Sequence, residues 1–204
     1  MVGSQGLGAI ASHFVAGRNT GALFHLWSLG SSQVHPDERG TMSVTDQLLR
    51  NNAAYAASFN GPLPLPPAKH VAVVACMDAR LNVYGALGLE EGDAHVIRNA
   101  GGVITEDEIR SLAISQRLLG TKEIILIHHT DCGMLTFTDD DFKRGIVEET
   151  GLRPAWAAEA FANEYDDVAQ SIKRVASSPF IPHTDQVRGF VFNVATGVLE
   201  EVTG

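Results

Sequence analysis

Every residue from Val71 to Cys76 is apolar, and Ile124 to Ile127 repeats that run. Short apolar runs rich in Val and Ile, without alternation, predict strands buried on both faces, as in a parallel sheet. We place such strands at His70–Cys76 and Lys122–Ile127, with a shorter one at Ala94–Arg98. Between them, Glu106–Leu119 sets Ile109, Leu112, Ala113, Gln116 and Leu119 at helical spacing, and Gly120 ends the helix. A later helix covers Asp166–Val175, and an early one, capped by Ser43 or Thr45, carries Leu48, Leu49 and Ala53 on one face. The proline-rich Gly61–Pro67 forces an extended connection. Val187–Val194 alternates, which predicts an edge strand; Thr196-Gly197 turns the chain and Val198–Val202 pairs back on it. Strands alternating with helices give an α/β domain.

Composition narrows the picture. The chain has 204 residues, 45% hydrophobic and 19% charged, an ordinary balance for one globular domain. The net charge of −9 argues against a nucleic-acid partner, which needs a basic face. No apolar run reaches the roughly 18 residues of a membrane span. Residues 1–41 contain no Lys and only Arg18, Asp37, Glu38 and Arg39 as charged groups, so we expect a flexible extension upstream of a domain spanning 42–204. Two cysteines, Cys76 and Cys132, are too few for a disulfide framework and fit a reducing, cytoplasmic compartment.

Both cysteines stand where chemistry collects in α/β folds, just beyond the carboxyl ends of strands. Cys76-Met-Asp78-Ala-Arg80 follows the first strand, and His128-His129-Thr-Asp131-Cys132-Gly133 follows the third. If these strands are neighbours, Cys76, His129 and Cys132 converge. The His129-to-Cys132 spacing suits a turn entering a helix, where positions three apart share a face. Two thiolates and one imidazole make a zinc site with one open position, the ligand count of a catalytic centre, and soft sulfur favours zinc over magnesium or calcium. Zinc acidifies water so that hydroxide is available near neutral pH. Asp78 and Arg80, two apart, share a side of an extended segment. Asp78 then has two options: it closes the site as a fourth ligand, or it pairs with the bidentate fork of Arg80 and accepts a hydrogen bond from the nucleophile. Asn99-Ala-Gly101-Gly102 can bring backbone N–H groups close to an anion. His128 reads as strand-end packing or a hydrogen-bonded neighbour, Asp131 as a solvated turn or capping residue, and His70, His95 and His183 as ordinary histidines.

Together these motifs resemble the β-class carbonic anhydrases, most closely the short mycobacterial and actinobacterial members. The match lies in Cys76-x-Asp78-x-Arg80, His129-x-x-Cys132-Gly133 and Arg98-Asn-Ala-Gly-Gly102, and it spans Met42–Gly204. The resemblance implies a central, mostly parallel sheet flanked by helices. It implies a homodimer or dimer of dimers in which an N-terminal helix, here Asp46–Phe59, packs on a partner subunit. It implies reversible hydration of carbon dioxide to bicarbonate at zinc held by Cys76, His129 and Cys132. Asp78 is then the gate and Arg80 its holder, while Gly101 and Gly102 face the substrate. The same family includes carbonyl sulfide and carbon disulfide hydrolases, which share these motifs. His95 and Tyr84 are candidates for relaying the proton.

Overall fold

A computed structural model describes residues 42–203. The expected extension 1–41 lies outside the described residues. Two compact units divide the chain after Phe59. In the first, helix α1 (Val44–Ala57) begins at Ser43, whose side chain accepts from the Asp46 amide while Asp46 returns a bond to the Ser43 amide. This reciprocal cap selects Ser43 over Thr45. Leu48 and Leu49 are exposed.

The second unit carries five strands: β1 (Val71–Cys76), β2 (Ala94–Asn99), β3 (Glu123–His129), β4 (Val187–Phe192) and β5 (Leu199–Val202). They form one sheet in the order β2-β1-β3-β4-β5. The first four are parallel and β5 runs antiparallel at the edge. The predicted α/β sheet is therefore present, with one correction. Val187–Phe192 is an interior strand, parallel to β3, and the edge is β5. The alternation in β4 reports sidedness instead: Gly189 lies under helix α5, and a Cβ there would sit 2.3 Å from Val168 Cγ1.

The unit has four helices, α2 (Val83–Leu87), α3 (Glu106–Leu119), α4 (Asp139–Thr150) and α5 (Glu164–Ala176), of which α3 and α5 pack on the sheet. The bounds of α3 agree with the sequence, because a Thr105–Glu108 capping box starts it and left-handed Gly120 ends it. One core layer packs Ala72, Val74 and Leu126 of the sheet against Leu112 of α3 and Val175 of α5. The other holds Val73, Ala75 and Ile127 together with Cys76, Cys132 and Met134. All six residues of β1 are buried, the reason its sequence lacks alternation.

Candidate metal centre

Because β1 and β3 are parallel neighbours, their carboxyl ends lie side by side. Cys76 is the last residue of β1 and His129 the last of β3. The strand runs through both histidines, beyond the predicted end at Ile127. Consecutive strand residues face opposite ways, so His128 and His129 part company. His128 Nε2 bonds Asp167 of α5 at 2.7 Å. His129 joins the cysteines.

The convergence expected from His129 and Cys132 is present, and the segment is a turn entering a helix, as the spacing suggested. The helix is only the short 3-10 turn Gly133–Leu135, capped by Cys132, and the turn before it is made by Asp131 in a left-handed conformation (φ 56). A strand end followed by a left-handed residue folds the chain back, so the Cys132 sulfur returns toward β3. The ligand atoms of Cys76, His129 and Cys132 all lie within 4.8 Å of one another, and all three residues are buried.

The donor set fits a metal ion. His129 Nδ1 lies 2.9 Å from the Thr130 carbonyl, which can only accept, so the proton sits on Nδ1. Nε2 is left with a lone pair, buried and without a hydrogen-bond partner. A buried orphan acceptor is costly unless something binds it, and a ligating histidine with its other nitrogen bonded to a carbonyl is the usual arrangement. The two sulfurs share protons unequally: donation from Cys132 pushes the Cys76 thiol down, against its burial, and the same contact pushes Cys132 up. Amides of Asp78 and Gly101 also favour the Cys76 thiolate.

Asp78 and Arg80 do not share the side of an extended segment, as the spacing suggested. They close a tight turn in which the Arg80 amide bonds Asp78 Oδ1 at 2.8 Å. Arg80 Nε then bonds Oδ1 at 3.0 Å and Nη2 bonds Oδ2 at 2.8 Å. These bonds hold the Asp78 carboxyl far below the usual carboxylate range. Its Oδ2 stands 3.7 Å from His129 Nε2, at the rim of the centre.

Two arginine contacts escaped the sequence reading. Arg98, quoted only as part of a motif, donates Nη2 to the carbonyls of Cys76 (2.6 Å) and Asp78 (2.7 Å). Asp131 is an exposed turn residue, as the sequence suggested, and its carboxylate also binds Arg80 at 2.7 Å. The one available signal for Asp131 was a second acid between two ligand positions, opposite a nearby Arg. Gly101 and Gly102 have φ values of 87 and 75, as a close backbone approach requires. His95 is not near the centre. It pairs in register with Ala72, at the far end of β1 from Cys76, and its Nδ1 contacts Ser115 Oγ.

A family profile described as carbonic anhydrase matches residues 71–199. Beta-carbonic anhydrase 1 of Mycobacterium tuberculosis is 65% identical over 162 residues, covering 79% of this chain and 99% of the relative. The chain belongs to the β-carbonic anhydrase family. A solved carbonic anhydrase from Streptococcus mutans superposes with a TM-score of 0.75 at 41% identity, covering 80% of this chain and 99% of that one. A carbon disulfide hydrolase of Saccharolobus solfataricus is 35% identical over 161 residues, 67% of this chain and 79% of the relative. The Cys–His–Cys cluster of this β-carbonic anhydrase family member thus sits inside the matched segment. Among the described residues, no helix is long and apolar enough to cross a membrane.

Proposed function

We propose that the chain catalyses reversible hydration of carbon dioxide to bicarbonate and a proton, with zinc held by Cys76, His129 and Cys132. The observation that carries this reading is the orphaned Nε2 of buried His129 among two sulfurs, with an ionised Asp78 at its rim. When bound, zinc supplies a Lewis acid that acidifies water near neutral pH. Two thiolates offset its charge, which raises the demand on neighbouring groups. Asp78, kept ionised by Arg80, accepts a hydrogen bond from the attacking water and aims its lone pair at the carbon. Arg80 holds Asp78 away from the fourth position. With the Gly101 amide directed at the Cys76 sulfur, Gly102 is the residue of this turn that offers its backbone N–H to a substrate oxygen.

Stopped-flow hydration by the zinc-loaded protein, from neutral to alkaline pH, tests this. Turnover should be fast and rise with pH. Negligible turnover with zinc bound would remove carbon dioxide as the substrate. Similarity to carbon disulfide hydrolases supports a second reading, hydrolysis of carbon disulfide or of the related carbonyl sulfide at the same centre, which sulfide release would reveal. Replacing a ligand gives a separate expectation. Cys132→Ala should lower bound zinc by at least about tenfold at fixed free metal, since one of three protein ligands is gone. Zinc retained at wild-type affinity would take Cys132 out of the centre.

The reading extends to assembly and location. Val44, Leu48 and Leu49 of α1 are exposed at 77%, 59% and 59%, which supports a homodimer or dimer of dimers with α1 packed on a partner subunit. Both cysteines are free thiols, in keeping with the cytoplasm.

A further inference from the structure

Asp131 enters none of the roles above, yet its position is unusual. Its backbone lies in the left-handed region that favours glycine, directly before Cys132. Its Oδ2 accepts from Arg80 Nη1 at 2.7 Å, and its carbonyl accepts from Arg80 Nη2 at 3.0 Å. The same guanidinium gives Nε and Nη2 to Asp78. Arg80 therefore ties the loop after β1 to the loop after β3, and each loop carries candidate metal ligands.

We propose that Asp131 is a positioning residue acting through Arg80: by anchoring the guanidinium on the His129–Cys132 loop, it keeps Asp78 off the metal and the centre open to a small anion. This inference rests on the metal-centre reading above. Distance alone does not restrain Asp78, whose Oδ2 is 3.7 Å from a ligand nitrogen. The restraint comes from hydrogen bonds. An Arg80 held only by Asp78, two residues away on one turn, would move with it toward the metal. A guanidinium tied to the opposite loop cannot follow. The opposite effect, competition between the two acids for Arg80, has little support in the geometry. Asp78 uses Nε and Nη2, whereas the Asp131 carboxylate uses Nη1. Only the Asp131 carbonyl shares Nη2, and every side-chain variant keeps it. Because Arg80 is 46% exposed and Asp131 79%, their ion pair adds little to folding. Its effect falls on which arrangement Asp78 occupies.

The test uses the full chain loaded with cobalt in place of zinc. Azide is titrated against the visible absorption bands of the metal, in wild type, Asp131→Gly and Asp131→Asn. Glycine suits the left-handed backbone, and asparagine keeps the side-chain shape, so either variant decides if the other folds poorly. Cobalt content and urea midpoint should match wild type, while azide binds about fivefold more weakly in both, the upper range for an exposed ion pair. Azide affinity within twofold of wild type, or tighter, would overturn the role of Asp131 and leave the metal centre standing. Wild-type protein that takes up no cobalt would overturn both.

Discussion

Gly102→Ala should lower the stability of the protein by about 3 kcal/mol or more, the sum of a strained backbone and an overpacked core. Gly102 has φ 75, and a Cβ there would lie 2.8 Å from the Cys76 amide nitrogen and 2.8 Å from the Ile127 carbonyl oxygen. Those atoms belong to β1 and β3, the buried centre of the sheet, so neither can give way as the tip of a side chain can. The expected result is a drop of about 1–2 M in urea midpoint, for a slope typical of a domain this size. Gly133→Ala serves as the comparison. Gly133 stands beside Cys132 with nothing within 4 Å of its Cβ position, and its midpoint should hardly move. Equal midpoints for the two variants would show that the Gly101–Gly102 turn swings clear of the strands, and the argument from close approach would fall.

Asp78→Asn should leave bound zinc unchanged and lower kcat/KM for hydration by about 10²–10³, the range for removing one charge-stabilising group from a reacting centre. The metal should stay because the Asp78 carboxylate is engaged by Arg80 and not with the sulfurs. The rate should fall because an amide in its place carries no charge, and its NH2 would oppose the donors of Arg80 or turn toward the attacking water as a donor. Zinc content by mass spectrometry and stopped-flow rates on the same samples separate the two effects. Wild-type turnover in the variant would remove Asp78 from the mechanism. Loss of zinc would instead make it a ligand.

The legible parts of this protein are those where neighbours along the chain decide the outcome. The apolar runs of β1 and β3 could only be buried strands, and the caps of α3 lie within four residues of its ends. The two motifs were readable as metal chemistry because the topology of a parallel sheet brings strand ends together. What was missed depends on partners far along the chain. Helix α4 begins with three acidic residues and buries none of its own. Its first residue, Asp139, accepts amides from Ala158 and Ala160, a cap for a distant loop that no local pattern announces. The bond from Asp131 to Arg80 joins residues 51 positions apart, so a local reading could place Asp131 in an exposed turn and still miss its partner.

The separation of the ligands has a thermodynamic consequence. Cys76 and Cys132 lie more than fifty residues apart in the chain, and only the paired strands bring their sulfurs within 4.8 Å. An unfolded chain would have to close that loop itself, at an entropic cost that grows with the logarithm of its length. Any metal held here therefore prefers the native state, and mass action converts its concentration into stability. Above its dissociation constant, each tenfold rise in free metal adds about 1.4 kcal/mol against unfolding. Metal supply then sets how far the folded state is favoured over the unfolded one.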